Sequence, residues 1–223
     1  MRATFLLAAS LVPIAAASGQ TVSAHAVVAA PKHNAHFSGV TERMEGSWVG
    51  GAVEFESGRL RLSGSGMRGR LTAPDPGSVP KRDVGELSLN GRYRVRPWLG
   101  LELRYAARAF SSAAGYQRWD LIGLGAVASR DLGTPAVRAF ASLLYFPMVS
   151  VSHQERPTFA LGSDVGIALA PSKLPLAVML SYRIERFRFA ATARSEQFEA
   201  LTLSVGVRAR RHAGRWRFGG EEQ

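Results

Sequence analysis

The chain has 223 residues and no cysteine, and its formal charge of +11 is carried by 25 Arg and 3 Lys against 17 acids. Without cysteine it has no disulfide, no thiol chemistry, no thiolate-ligated metal and no lipid-modified cysteine. Such a charge fits a partner with phosphates, but Arg recurs at alternate positions along the chain instead of forming one block.

Residues 1–19 read as a secretory signal peptide. One positive charge at Arg2 precedes an apolar run over residues 5–17, broken by Ser10 and Pro13, and small residues follow at Ala15, Ala17, Ser18 and Gly19. That is the three-part pattern of an export signal, with cleavage expected between Ala17 and Ala24. The run is too short for a bilayer span, which needs roughly 20 residues. Export argues against nucleic acid as the partner. Residues 20–45 are rich in Ala, Ser, Thr and His without a period, and read as a flexible periplasmic lead-in. His25, His33 and His36 lie there with no acid interspersed, so no metal site and no cofactor is expected.

From Gly46 to Phe218 the strand period dominates. Leu87, Leu89, Gly91, Tyr93 and Val95 share one face, opposed by Glu86, Ser88, Asn90, Arg92, Arg94 and Arg96. After a tight turn at Arg96-Pro97, Leu99, Leu101, Leu103 and Tyr105 alternate with Gly100, Glu102, Arg104, Ala106 and Arg108. Further alternating segments cover residues 116–129, 136–150, 158–170, 174–185 and 200–210. Short connections at 96–97, 130–135 and 171–173 take turns with longer ones at 109–115, 151–157 and 189–197. That order matches a membrane barrel with tight periplasmic turns and longer external loops. With one strand in residues 48–71 and residues 73–83 as the first external loop, the count is eight. Two strands about Glu56-Ser57-Gly58 would need a tenth, sought in residues 212–218.

The fold class expected is therefore all-β, an antiparallel up-and-down transmembrane barrel of eight strands, ten being the alternative. Polar faces carry both signs: Glu86, Arg92, Arg94, Glu102, Arg104, Arg108, Asp164, Arg183, Glu185, Arg208 and Arg210. In a narrow barrel these groups must pair, so the expected lumen is a filled ion-pair network. Aromatic girdles are expected at Tyr93, Trp98, Tyr116, Trp119, Phe159, Phe187 and Phe198. A soluble calyx binding an apolar ligand, polar outside and apolar inside, is the fold-level rival.

On these features the chain resembles the small bacterial outer-membrane β-barrel proteins, the class of OmpA-like and OmpX-like transmembrane domains. The resemblance implies the outer membrane of a Gram-negative-type bacterium, outer-membrane lipids including lipopolysaccharide phosphates as surroundings, and insertion by the outer-membrane assembly machinery. That machinery favours an aromatic at the end of the last strand. Here Trp216 and Phe218 are followed by a polar tail over residues 219–223. The residues leave the oligomeric state open.

Little reactive chemistry is visible. Ser152 and His153 at a loop start would sit on opposite faces of a strand, poor geometry for a nucleophile and its base. No enzyme is expected, a rim-located lipid-modifying hydrolase being the alternative. Lys81, Arg82, Arg156, Arg186, Arg188 and Arg194 fall in or beside external loops, at the level of lipid phosphates. The leading expectation is a structural or surface-contact barrel, with a narrow pore or passive transporter as its rival.

Overall fold

Side chains that alternate between two environments need a sheet with two different faces, and closure lets such a sheet do without edges. The computed structural model describes residues 20–74, 81–113, 115–152, 154–171, 174–190, 193–212 and 215–218, with side chains as far as residue 209. Ten long strands follow one another round a barrel: β1 (Thr21–Phe37), β2 (Val40–Ser57), β3 (Leu60–Thr72), β4 (Arg82–Arg96), β5 (Leu99–Ser112), β6 (Gly115–Leu132), β7 (Thr134–Val151), β8 (Phe159–Leu169), β9 (Leu176–Arg188) and β10 (Ser195–His212). Each pairs antiparallel with its neighbours in sequence, and β1 pairs with β10 from Thr21↔Arg210 to His36↔Ser195, which closes the ring. A short β11 (Arg215–Phe218) folds back on the last residues of β10. It takes the edge that β9 leaves free beyond Leu176, because β1 already holds the other.

The strand count is ten, not eight. Residues 20–45 are not a lead-in: they hold the first spanning strand and the start of the second. In β1 the inward residues Ser23, His25, Val27, Ala29 and His33 face outward residues such as Ala24, Ala26, Val28 and Ala30. Small residues dominate both faces and each also carries polar side chains (His25 and His33 inward, Lys32 and His36 outward), so the two-residue period has little contrast. Residues 48–71 form parts of two strands, β2 and β3, joined at Gly58-Arg59 with Gly58 at φ 58°. The strand that restores even parity is β1, and residues 215–218 add only the four-residue β11.

Connections at one end, the turn end, are short: 58–59, 97–98 and 133, with 170–175 somewhat longer. At the opposite, loop end, the connections after β3, β7 and β9 are long, but 38–39 is a two-residue hairpin and β5 pairs with β6 as far as Ser112↔Gly115. The strict alternation of short and long connections therefore fails at two places. Ser38 and Gly39 both have positive φ, which a two-residue turn matched to strand twist requires. Strands of up to 18 residues exceed the 9–11 that cross a bilayer, so the wall continues past the apolar zone.

One irregularity resets the inward face. Opposite Gly123, β7 carries the extra residue of a bulge at Phe146-Pro147, where proline has no amide donor to lose. Before it Leu144 and Phe146 point inward; after it Val149 and Val151 do. The Phe146 ring lies across the wall between two glycines. A Cβ on Gly123 or Gly162 would come within 2.8 Å of it.

Closure through β1 is testable in a chain without cysteine. Ala26→Cys with Val205→Cys, partners in the β1–β10 register, is expected to cross-link on mild oxidation. Ala26→Cys with Leu201→Cys, four residues out of register, is expected to stay reduced. Cross-linking read by gel mobility distinguishes ten closed strands from a barrel that starts at Gly46.

Candidate functional site

Which face of the wall is polar decides what surrounds the barrel. Leu87, Leu89, Leu103, Leu143, Leu180 and Leu203 point outward and are 41–56% exposed. Arg92, Arg104 and Arg183 all point inward, Arg104 with only 5% exposure. A soluble calyx would have the reverse. An apolar outer wall with charges inside is stable where the surroundings are hydrocarbon.

The lumen is filled in layers, beginning at the loop end. Trp48 stacks on Phe198 at 5.3 Å, Trp119 meets Phe187 edge-on at 4.9 Å, and Met44, Leu71, Leu121 and Leu144 close the gaps, all fully buried or nearly so. His33 lies among them, its Nε2 2.7 Å from Glu196 Oε2 and its ring 5.4 Å from Phe110. Trp119, Phe187 and Phe198, expected in the outer girdles, therefore belong to this plug. Their exposure is 2% or less. Tyr93, Trp98, Tyr116 and Phe159 do face outward, with Tyr93 and Trp98 towards the turn end and Tyr116 and Phe159 towards the loop end.

Below the plug lies a first charged layer. Arg108 donates to Glu86 Oε2 at 2.7 Å and Glu185 Oε2 at 2.8 Å, while its guanidinium carbon sits 3.7 Å from the Phe198 ring centroid. Arg183 donates to Glu86 Oε1 at 2.8 Å. Two cations and two anions thus neutralise each other beneath an aromatic lid, and the cation–π contact in a desolvated site adds on the order of 2 kcal/mol. A second layer is centred on Glu102, which accepts from Asn90 at 2.7 Å, Arg92 at 3.0 Å and Arg104 at 2.8 Å. Asp164 lies 3.7 Å from Arg104. Arg94 and Arg208 are nearer the turn end, bonded to the carbonyls of Gly58 and of Ala170 and Pro171. The side chain of Arg210 lies outside the described residues.

Beneath these layers the lumen opens. A cavity of about 1250 Å³ occupies the turn-end half and is lined by nine arginines but only four acids, Glu54, Glu56, Glu86 and Asp164. The expected filled lumen holds for the loop-end half only. A cup is the result, floored by ion pairs and open at the end where β1 begins and β10 finishes.

The basic rim differs from its sequence-based version. Arg186 and Arg188 project outward near the loop end, and Lys81 and Arg156 are exposed. Arg82 instead turns inward to Glu42 at 2.5 Å, and Arg194 bonds Glu196 and Gln154. The missing outward cations come from strands: Lys32, Arg43, Arg68, Arg70 and Arg118 lie above the apolar zone. Several are tied to acids of the same belt, as Arg43 and Lys32 are to Glu45, Arg70 to Asp83 and Arg118 to Asp120. Parity along β2 and β3 would have shown Arg43, Arg68 and Arg70 once those strands were separated. The Ser152 hydroxyl accepts the Arg118 amide at 2.8 Å, and His153 lies outside the described residues.

Removing one member of the first charged layer leaves buried charge uncompensated. Arg108→Ala is expected to lower stability by about 3–5 kcal/mol, read from denaturant unfolding in micelles. Adding Glu185→Gln should recover part of that loss, because one stranded carboxylate is then neutral.

No family model matches the chain, and no curated protein matches it. Among solved structures it is similar to Neisserial surface protein A (15% identity, TM-score 0.39, covering 83% of this chain and 96% of that one). It is also similar to the translocator domain of the autotransporter NalP from Neisseria meningitidis (14%, TM-score 0.48, 86% and 89%). A third is Ail, the attachment invasion locus protein of Yersinia pestis (10%, TM-score 0.36, 86% and 99%). At these identities and scores nothing of those proteins' roles passes to this chain. Its own geometry, an all-antiparallel closed wall with apolar residues outside and paired charges inside, makes it a transmembrane β-barrel of the bacterial outer-membrane kind.

Proposed function

We propose that the chain is a sealed, non-enzymatic outer-membrane barrel that acts as a structural and surface-contact element. The observation carrying this reading is the occluded loop-end half of the lumen, where packed aromatics sit on a paired layer of charges. Water and ions crossing there would have to displace buried Trp and Phe side chains and break ion pairs held away from solvent. With the turns on the periplasmic side, as in barrels of this kind, the closed end faces out and the cup faces the periplasm. Loop residues such as Lys81, Gln154 and Arg156 are then the contact surface.

The outward belt of Lys32, Arg43, Arg68, Arg70, Arg118, Arg186 and Arg188 suits the phosphate groups of outer-leaflet lipids, lipopolysaccharide included, since guanidinium forks bind phosphate bidentately. Insertion by the outer-membrane assembly machinery belongs to the same reading. A narrow anion pore is the second reading, supported by the arginine excess of a cup that already reaches halfway through the wall.

Planar-bilayer recording separates the two. The native chain is expected to show no sustained opening, whereas Trp48→Ala with Trp119→Ala and Phe198→Ala should conduct. Steady nanosiemens-scale current from the native chain would establish the pore. For the belt, Arg43→Glu with Arg68→Glu should abolish the rise in unfolding temperature that phosphorylated glycolipid gives the native barrel in vesicles. The unfolding temperature in zwitterionic vesicles should stay nearly constant.

A further inference from the structure

The cup has a chemistry that neither sealing nor lipid contact uses. Its floor charges are accounted for: Arg183 bonds Glu86, and Arg92 and Arg104 bond Glu102. On the wall, Arg61 is bound to Glu54 and Glu56. At the mouth, Arg59, Arg94 and Arg96 have no acidic partner among the described residues. They are neighbours on one side: the Arg94 amide donates to the Arg59 carbonyl at 2.8 Å, and the Arg94 guanidinium donates to the carbonyl of Gly58. All three line the cavity.

A dead-end cavity with this charge excess concentrates anions. Low-dielectric walls focus the field of charges lining a cleft, raising the local concentration of ions of opposite sign. The loop-end plug stops any anion that enters from passing on. Deeper in, His25 and Ser204 are among the residues that line the cup.

We infer that the cup is a binding site for a small multivalent oxyanion arriving from the turn end, held at the mouth by the guanidinium groups of Arg59, Arg94 and Arg96. Three adjacent forks can share two or more closely spaced oxyanion groups, so valency sets the preference. A lone phosphate group engages one fork and gains little. About 1250 Å³ is ample for a molecule of several phosphate or carboxylate groups.

Isothermal titration of the refolded full chain in a zwitterionic detergent, with tripolyphosphate as the probe, tests this. One saturable site is expected, at least tenfold tighter than for orthophosphate at equal ionic strength. Arg94→Ala with Arg96→Ala, and separately Arg59→Ala, should weaken it tenfold or more. Arg130→Ala, on the outer wall at the turn end, should leave it unchanged. Heat-modifiable gel mobility confirms that each variant remains a folded barrel. No saturable binding at millimolar probe, a smaller loss in the mouth variants, or an equal loss in the outer-wall variant would overturn the inference. Because no current is measured, its failure leaves the sealed-barrel reading intact, and a conducting native chain does not by itself remove the site.

Discussion

Everything in this molecule depends on the pairing of β1 with β10. In hydrocarbon an unpaired strand edge leaves a row of amides and carbonyls without partners, each costing several kcal/mol. The ring of ten strands has no such edge along its spanning region, because Thr21 to His36 lies against Ser195 to Arg210 without a register break. Only after closure does alternation acquire a meaning, since one face of every strand then sees lipid and the other a confined lumen. Strand β1 performs this task with small, nearly featureless residues. Backbone pairing and fit matter more at that seam than side-chain hydrophobicity.

Confinement explains the interior. Charged side chains pointing into a narrow space cannot each keep a hydration shell, so they persist where they neutralise one another. Arg108, Arg183, Glu86 and Glu185 meet that condition as a group drawn from β4, β5 and β9. The aromatic plug above removes water from them, and Phe198 touches both environments through its stack with Trp48 and its face towards Arg108. Towards the turn end aromatic and ion-paired filling gives way to space, which is why one tube contains both a seal and a cup.

Much of the wall was legible in the sequence. Segments such as β4, β5 and β9 alternate leucine or valine with charge, and that contrast reveals both the strand and its inward face. Strand β1 was illegible because Ala24, Ala26 and Ala30 outside differ little from Val27, Ala29 and Ala35 inside. Pro31 in mid-strand also argues locally against a ladder. Phe187 and Phe198 share parity with Glu185 and Ala200, so their inward position could be read from the chain; aromatic identity suggested a girdle instead. Val149 and Val151 could not be placed by parity, because the bulge at Phe146-Pro147 shifts the phase and a bulge has no fixed sequence mark. The cup was hidden for a further reason: its depth is set by where the plug stops, a property of ten strands packed together and of none alone.

The one-ended lumen is the central claim, and a chain without native cysteine allows it to be probed position by position. Single cysteines at Ala177 in the cup, Ala106 in the plug and Leu103 on the outer wall would be placed in vesicles holding the barrel in one known orientation. A membrane-impermeant maleimide is then added to one side at a time. Ala177→Cys should react only from the turn end, and Ala106→Cys and Leu103→Cys from neither side. Labelling of Ala177→Cys from the loop end would show a continuous aqueous path and contradict the account.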